Sequence, residues 1–310
     1  MDVNKSLLIA RYSARYSVRG GVGLVFLLLS LTFGLIVAHT MLSPVEMMTN
    51  QVMEHDPDAS RDEIRADVLE RLMRQARQPV AWLLSAPESG DPDVDRANAD
   101  EADAWADYLL EERPSILSAI FMILLFGWPL IVAFGAFDLY AGDISSRQLR
   151  YQLLRADRTS IFVGRLLGML ITFALVLLML GVTISGYLAL KLPLYDGGAV
   201  VSWTLYSMLA LAVATLPYVG LCSWISASIG SAFGSLTIVS LIIGGVPLLA
   251  MIARNTYEPA QYINYVLPWG FQTRLFHNEP SQVALAATGC VAQAALFFWL
   301  GHRKFVRRDL

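Results

Sequence analysis

Charge is scarce in this chain: of 310 residues, 16% are charged and 55% hydrophobic. Soluble domains carry roughly 25% charged residues, so a water-soluble core is a poor home for this much apolar surface and a bilayer is a good one. Cysteine is scarcer still. Cys222 and Cys290 both fall in apolar runs, where they read as small packing residues, so a disulfide framework has no basis. Two cysteines and four scattered histidines are too few ligands for a metal centre. None of the long apolar runs has a charged residue near its middle, which leaves ion- or proton-coupled transport without its usual buried ionisable group. His39 is the nearest candidate, and it sits toward the end of its run, where an interfacial histidine touching water is the simpler account. No paired histidine, no Glu within an apolar run and no G-x-S-x-G occurs, so an intramembrane enzyme lacks a nucleophile–base pair or metal cluster. The phosphate loop G-x-x-x-x-G-K-[ST] is also missing, so nucleotide hydrolysis would have to be supplied by another polypeptide.

What charge there is divides sharply. Residues 42–114 hold 18 of the 26 acidic residues and seven of the 23 basic ones, which leaves that stretch at −11 and the remainder at +8. Segregation of this kind points to two aqueous compartments. Arginine outnumbers lysine by 20 to three, a bias that suggests a GC-rich bacterial source.

The apolar runs predict an all-α membrane protein with six transmembrane helices. Residues 1–20 set Lys5, Arg11, Arg15 and Arg19 among Leu7, Leu8, Ile9, Tyr12 and Tyr16, the pattern of a basic interfacial helix on the cytoplasmic membrane surface. The apolar run 21–41 is longer than the ~7–15 residues of a signal-sequence core and long enough for a ~30 Å bilayer, so it reads as a retained first span. Region 42–114 reads as a helical extracytoplasmic insertion between spans one and two. In it, Ser60-Arg-Asp-Glu63 matches a capping box, followed by the periodic run Ile64, Val68, Leu69, Leu72, Met73 and Ala76. A loop at Pro87-Glu-Ser-Gly-Asp-Pro-Asp precedes a second helix over Ala99–Glu111. Region 115–310 holds the remaining spans: Ser115–Phe137, kinked at Pro129, then Ile161–Leu190, Val200–Ser223, Phe233–Ile252 and Gln282–Gly301. The uncharged stretch Trp224–Ala232 marks the fourth–fifth junction only weakly. Basic residues concentrate in the N-terminal segment, the loop 138–160 and the tail 303–308, so the positive-inside rule puts both termini and that loop in the cytoplasm.

The loop 138–160 is the richest segment chemically. Asp143, Ser145 or Ser146 can cap a short helix over Ser145–Leu154. Leu149 and Leu153 lie one turn apart on one face, with Tyr151 and Leu154 on another. Arg147, Arg150, Arg155 and Arg158 surround them. Arginine around apolar and aromatic anchors is the chemistry of a docking surface, with Leu149 and Leu153 as the expected apolar anchors and Arg150, Arg155 and Arg158 orienting them against acidic groups of a partner; a solvated loop that merely sets topology is the other reading.

This segment resembles the coupling-helix region of ABC-2 type transporter permeases, in which a Glu-containing element is followed by G-T-L-x-x-L-L-x-x-P-x-x-R and then G-K-x-x-G. Asp143 stands where the Glu does. Leu149, Leu153-Leu154, Arg158, Gly164-Arg165 and Gly168 correspond, while Arg147-Gln148 replace the Gly-Thr pair, Ala156-Asp157 the Pro-Val pair, and Arg165 the Lys. The plan of the whole chain is similar too, including Leu216-Pro-Tyr-Val-Gly in the fourth span. Segment 257–280, with Tyr262, Tyr265, Trp269 and Phe271, resembles that family's short helices re-entering the outer leaflet. The large acidic insertion is a departure from a minimal member.

The resemblance implies a permease subunit in the bacterial cytoplasmic (inner) membrane that exports or extracts amphiphilic molecules. It has no cofactor or catalytic residue of its own. Two copies of a cytoplasmic ABC ATPase would bind ATP and Mg, and the permease would pair with a second copy or a homologue. Ser226, Ala227, Gly230 and Gly234 form a small-residue patch suited to that subunit interface or, equally, to packing within the chain. Membrane lipid is the remaining expected partner, and nucleic acid is not expected. A different class of function stays open: a non-transporting membrane scaffold whose acidic 42–114 region binds a cation or basic peptide, although acidity of this kind also serves solubility.

Overall fold

The structure is a computed structural model that describes residues 2–19, 22–55, 60–85, 91–254 and 269–308. Among them there is no strand. Most of the loop at 87–93 lies outside the described residues, as do Tyr262 and Tyr265 of the expected re-entrant segment.

Six helices are long and apolar enough to cross a bilayer: Gly23–His55, Ser115–Ser145, Arg158–Lys191, Gly197–Ser228, Ala232–Leu249 and Pro280–Val306. The helices are α1 (Val3–Arg19), α2 (Val22–His55), α3 (Arg61–Leu84), α4 (Pro92–Asp107), α5 (Ser115–Ala136), α6 (Ala141–Ser145), α7 (Gln148–Leu153), α8 (Arg158–Lys191), α9 (Gly197–Ser228), α10 (Ala232–Ser240), α11 (Val246–Arg254), α12 (Trp269–Gln272) and α13 (Pro280–Val306). A π-turn over Leu241–Gly245 joins α10 to α11.

Burial separates the centre of the bundle from its rim. The most apolar windows of α5 and α9 are each 72% buried, whereas those of the last two spans are 17% and 22% buried. A helix apolar all round belongs in the interior, and α5 fits this with Ile116, Leu117, Ile120, Phe121, Leu124, Leu125 and Trp128 all sealed. Trp128 donates its indole N–H to Thr215 Oγ1 of α9 at 2.7 Å, so the donor of this sealed ring is paired.

Helix starts follow local chemistry. Asp157 caps α8 by accepting from the Ser160 amide at 3.2 Å, Asp196 caps α9 through the Ala199 amide at 3.0 Å, and Ser231 caps α10 through Gly234 at 3.3 Å. The Ser160 hydroxyl, hydrogen-bonding to Asp157, also holds that carboxyl below the ordinary carboxylate range. The uncharged junction between spans four and five resolves as a helix break, with Ile229 and Ser231 extended.

Three expected elements shift. The first-span helix does not stop at Met41: it runs through Pro44 to His55, with Leu42, Val45 and Thr49 buried and the helix packed on α3 of the insertion. Ser60 takes the N-cap position of α3 without a side-chain cap bond; Asp62 and Glu63 in the first turn supply the negative charge that a helix start favours. The second insertion helix begins at Pro92 rather than Ala99, since Asp91 caps it and proline suits the first position, and it continues as a π-turn over Tyr108–Glu112. Ile64, Val68, Leu69, Trp105 and Leu109 join the same continuous core as α2 and α5. Trp105 Nε1 donates to the Phe276 carbonyl at 2.7 Å, which fastens the insertion to the segment before α13. His39 is exposed and hydrogen-bonded to the Tyr187 hydroxyl at 3.0 Å.

The two ends of the bundle differ. At one end, the Asp2 amide donates to Ser160 Oγ at 3.2 Å, and Arg158 donates to the carbonyls of Val306 and Arg308 at 2.6 and 2.7 Å. The start of α1, the loop 138–157 and the chain's last turn therefore share that end, called the loop end below. Helices α3 and α4 sit at the other.

Candidate functional site

The loop end is built on two close helix contacts. Helix α1 crosses α8 at Gly164 and Gly168, where an added Cβ would come within 2.8 Å of the Ser6 and Ala10 carbonyl oxygens. Only glycine admits backbone that close. The face of α1 turned away from α8 carries Leu7, Leu8, Tyr12 and Tyr16, all exposed, with Arg11 and Arg15 beside them.

Between α5 and α8 the chain does not form one helix over Ser145–Leu154. It forms α6 and α7, separated by Arg147 at φ 59°, the only non-glycine residue with positive φ among those described. The Ser145 and Ser146 hydroxyls bend back to the Gly142 carbonyl at 2.8 and 2.7 Å. Such local bonds compete with helix continuation, so these serines end α6 rather than cap α7.

The underside of this double turn is pinned from three directions. Asp143 does not act as a cap; it forms an ion pair with Arg165 of α8, the two side chains being 17% and 19% exposed. Arg165 also donates to the Leu139 carbonyl at 3.0 Å and to Gln152 Oε1 at 3.4 Å. Ser226 Oγ accepts from the Tyr140 and Ala141 amides at 2.8 and 2.9 Å. The sealed Tyr140 ring stacks on Phe162, 4.9 Å between centroids, and its hydroxyl donates to the Phe162 carbonyl at 2.9 Å. A loop held by an ion pair, a capped turn and a buried aromatic stack is a rigid platform.

The residues singled out from the sequence divide across that platform. Leu149 is buried at 2% exposure and Leu153 packs half-buried on the core, so both anchor the platform to the bundle. Tyr151 and Leu154 face outward at 75% and 83% exposure. Arg147, Arg150 and Arg155 are exposed around them and form no ion pair among the described residues. Arg158 is turned away and clamps the end of α13. The surface presented is thus Tyr151 and Leu154 ringed by three free guanidinium groups. The expected anchors Leu149 and Leu153 thus face the core and the expected orienting Arg158 faces α13, while Tyr151 and Leu154 point out; periodicity separates the two apolar faces, but which one points out depends on how the loop packs on the bundle. Tyr140 and Gln152 were not legible as site residues, since a lone tyrosine and a lone glutamine carry no pattern, and Ser226 stood out only as a member of the small-residue patch, not as a hold on this loop.

Of the small-residue patch, Ser226 and Ala227 are fully buried within the chain, and Ala227 accepts from Arg308 at 2.9 Å. Gly230 and Gly234 are half-exposed, at the start of a fifth span whose Phe233, Leu241, Leu248 and Leu249 are uncovered.

Among the described residues no group of three or more His, Cys, Asp or Glu side chains is arranged to hold a metal ion. No family model matches the chain, and no curated protein matches it.

Proposed function

We propose that this chain is the membrane-spanning permease subunit of an ABC-2 type ATP-driven transporter, with the α6–α7 platform as the surface on which the cytoplasmic ATPase docks. The observation that carries the reading is Arg147. The resembled motif has glycine at that position, and here the backbone takes the left-handed conformation that glycine favours, so the turn survives the departure in sequence. Gly164 and Gly168, the glycines of the second half of the motif, likewise have a structural use as the seat of α1.

In this reading the loop end faces the cytoplasm, since it gathers the basic N-terminal segment, the 138–160 loop and the tail 303–308; the acidic insertion faces outward. The protein resides in a bacterial inner membrane with both termini inside. Tyr151 and Leu154 enter a groove of the ATPase, and Arg147, Arg150 and Arg155 meet acidic groups on its rim. ATP and Mg bind to the ATPase, of which two copies serve two permease subunits. The subunits pair along the uncovered fifth span beginning at Gly230 and Gly234. The cargo is amphiphilic, in keeping with spans that carry no charge near their middle. Affinity purification of the tagged chain from its native membrane tests the proposal: a Walker-motif ATPase co-purifies if it is right, and the chain emerges without one if it is wrong.

A further inference from the structure

A cavity of about 500 Å³ opens at the loop end between the last turns of α9 and α13. Trp224 and Ser228 line it from α9, Leu300, Arg303 and Lys304 from α13, and Arg307 from just past the end of α13. Cavities of roughly 300–1,000 Å³ are the usual size for a bound small molecule. None of its lining residues is acidic, and Arg303, Lys304 and Arg307 make no ion pair among the described residues. Arg308 closes one side by donating to the Ala227 carbonyl at 2.9 Å.

Two features say what kind of anion fits. The first is depth. Arg303 lies roughly 35 Å along α13 from Pro280 at 1.5 Å per residue, just beyond a hydrocarbon core of about 30 Å. The basic groups therefore sit at the level of lipid headgroups. The second is the surface directly above them. Leu296 and Trp299 are 52% and 54% exposed on α13, and Arg303 lies over the Trp299 ring at 5.5 Å. Free phosphate has no use for an exposed leucine and indole next to its site, whereas an acyl chain does. The half-buried Trp224, stacked on Phe297 at 6.0 Å between centroids, continues the apolar wall into the cavity.

We propose that this cavity binds the phosphodiester headgroup of an anionic phospholipid, with Arg303, Lys304 and Arg307 on the phosphate and an acyl chain along Leu296 and Trp299. The proposal rests on the membrane-spanning reading and not on the docking one. A lipid here bridges the ends of the fourth and sixth spans.

The full-length protein is inserted in nanodiscs containing equal amounts of phosphatidylglycerol and phosphatidylcholine, extracted gently, and its retained lipids are counted by native mass spectrometry. Carbonate extraction beforehand reports membrane insertion separately, so a chain that washes off refutes the spanning reading itself. The inserted wild type keeps phosphatidylglycerol in preference to phosphatidylcholine, and millimolar inorganic phosphate does not displace it. Each cation near an anionic lipid surface contributes about 1 kcal/mol, so the Arg303→Gln/Arg307→Gln pair lowers that preference by about tenfold or more, while Arg303→Lys/Arg307→Lys retains it. Lys304→Gln, a single change at an exposed position, gives a smaller loss and guards against a double variant that folds poorly. Equal retention of the two lipids by wild type, or a preference untouched in both glutamine variants, overturns the proposal. Displacement by phosphate shows a soluble-anion site instead. Loss of a co-purifying protein with unchanged lipid retention shows a protein contact instead.

Discussion

Asp143 and Arg165 form a mostly buried ion pair that ties the loop between the second and third spans to the third span itself. Removing one partner strands the other charge, which costs about 3 kcal/mol or more where burial is complete; with some exposure remaining, about 2 kcal/mol is expected here. Asp143→Ala and Arg165→Ala should each lower the Tm in detergent by several degrees, and Asp143→Asn/Arg165→Gln should recover part of the loss by leaving no unpaired charge. Single variants that melt with the wild type would show that the pair holds nothing.

The turn at Arg147 makes an unusual prediction, namely that replacing a charged residue with glycine costs no stability. A non-glycine residue in the left-handed region carries roughly 1 kcal/mol of strain. Arg147→Gly should match or slightly exceed wild-type Tm while weakening ATPase association only mildly, as loss of a rim charge does, whereas Arg147→Val should lower Tm as well. A glycine variant less stable than the valine variant would contradict the backbone assignment.

Helix α1 should be held in place by the two glycines of α8 beneath it. Gly164→Val and Gly168→Val place methyl groups against the Ser6 and Ala10 carbonyls, so α1 must lift away. Limited trypsin digestion at Arg11 and Arg15, measured on solubilised protein, should accelerate in both variants, with the Tm of the spans much less affected. An unchanged cleavage rate would mean that α1 does not depend on this contact.

Orientation can be read with two engineered cysteines. One near Asp93 should react with an impermeant reagent from outside intact cells, and one at Ser146 should react only after lysis. Outside labelling of the second would invert the topology.

Much of this architecture could be read from residue order because it rests on long-range composition. Six apolar runs became six spanning-length helices, since 18 or more apolar residues in sequence have few alternatives. The helix over Arg61–Leu84 followed from the spacing of Ile64, Val68 and Leu69. What could not be read were contacts made by single residues. The extension of α2 past Met41 goes with the burial of Leu42, Val45 and Thr49 and the packing of α2 on α3, and the break of the loop into α6 and α7 depends on two serine hydroxyls turning back to Gly142. Within the site, the arginine-flanked loop stood out, but the sequence pointed to Leu149, with Leu153, as the outward anchor where the structure exposes Leu154, with Tyr151. Leu149 and Leu154 are both leucines in the same short helical stretch, and only the packing of Leu149 onto the bundle core decides the choice between them.

That choice is also where the functional proposal is most exposed. Along α7 and its C-cap, Leu149 belongs to the core and Leu154 to the surface. Leu149→Ala should cost about 2–5 kcal/mol of stability through the cavity it leaves. Tyr151→Ala and Leu154→Asp should leave Tm nearly unchanged and weaken ATPase association by about 2 kcal/mol or more, as truncating a central anchor does. Arg155→Ala should have a milder effect that fades with added salt.

The decisive measurement is a quantitative pulldown from native membranes with the tagged chain as bait, comparing wild type with Leu154→Asp at equal expression and equal Tm. The account predicts that a Walker-motif ATPase is recovered with the wild type in equal subunit numbers, in a complex whose mass fits two permease and two ATPase subunits, and that Leu154→Asp loses it. No ATPase with the wild type, or equal recovery with Leu154→Asp, would contradict it.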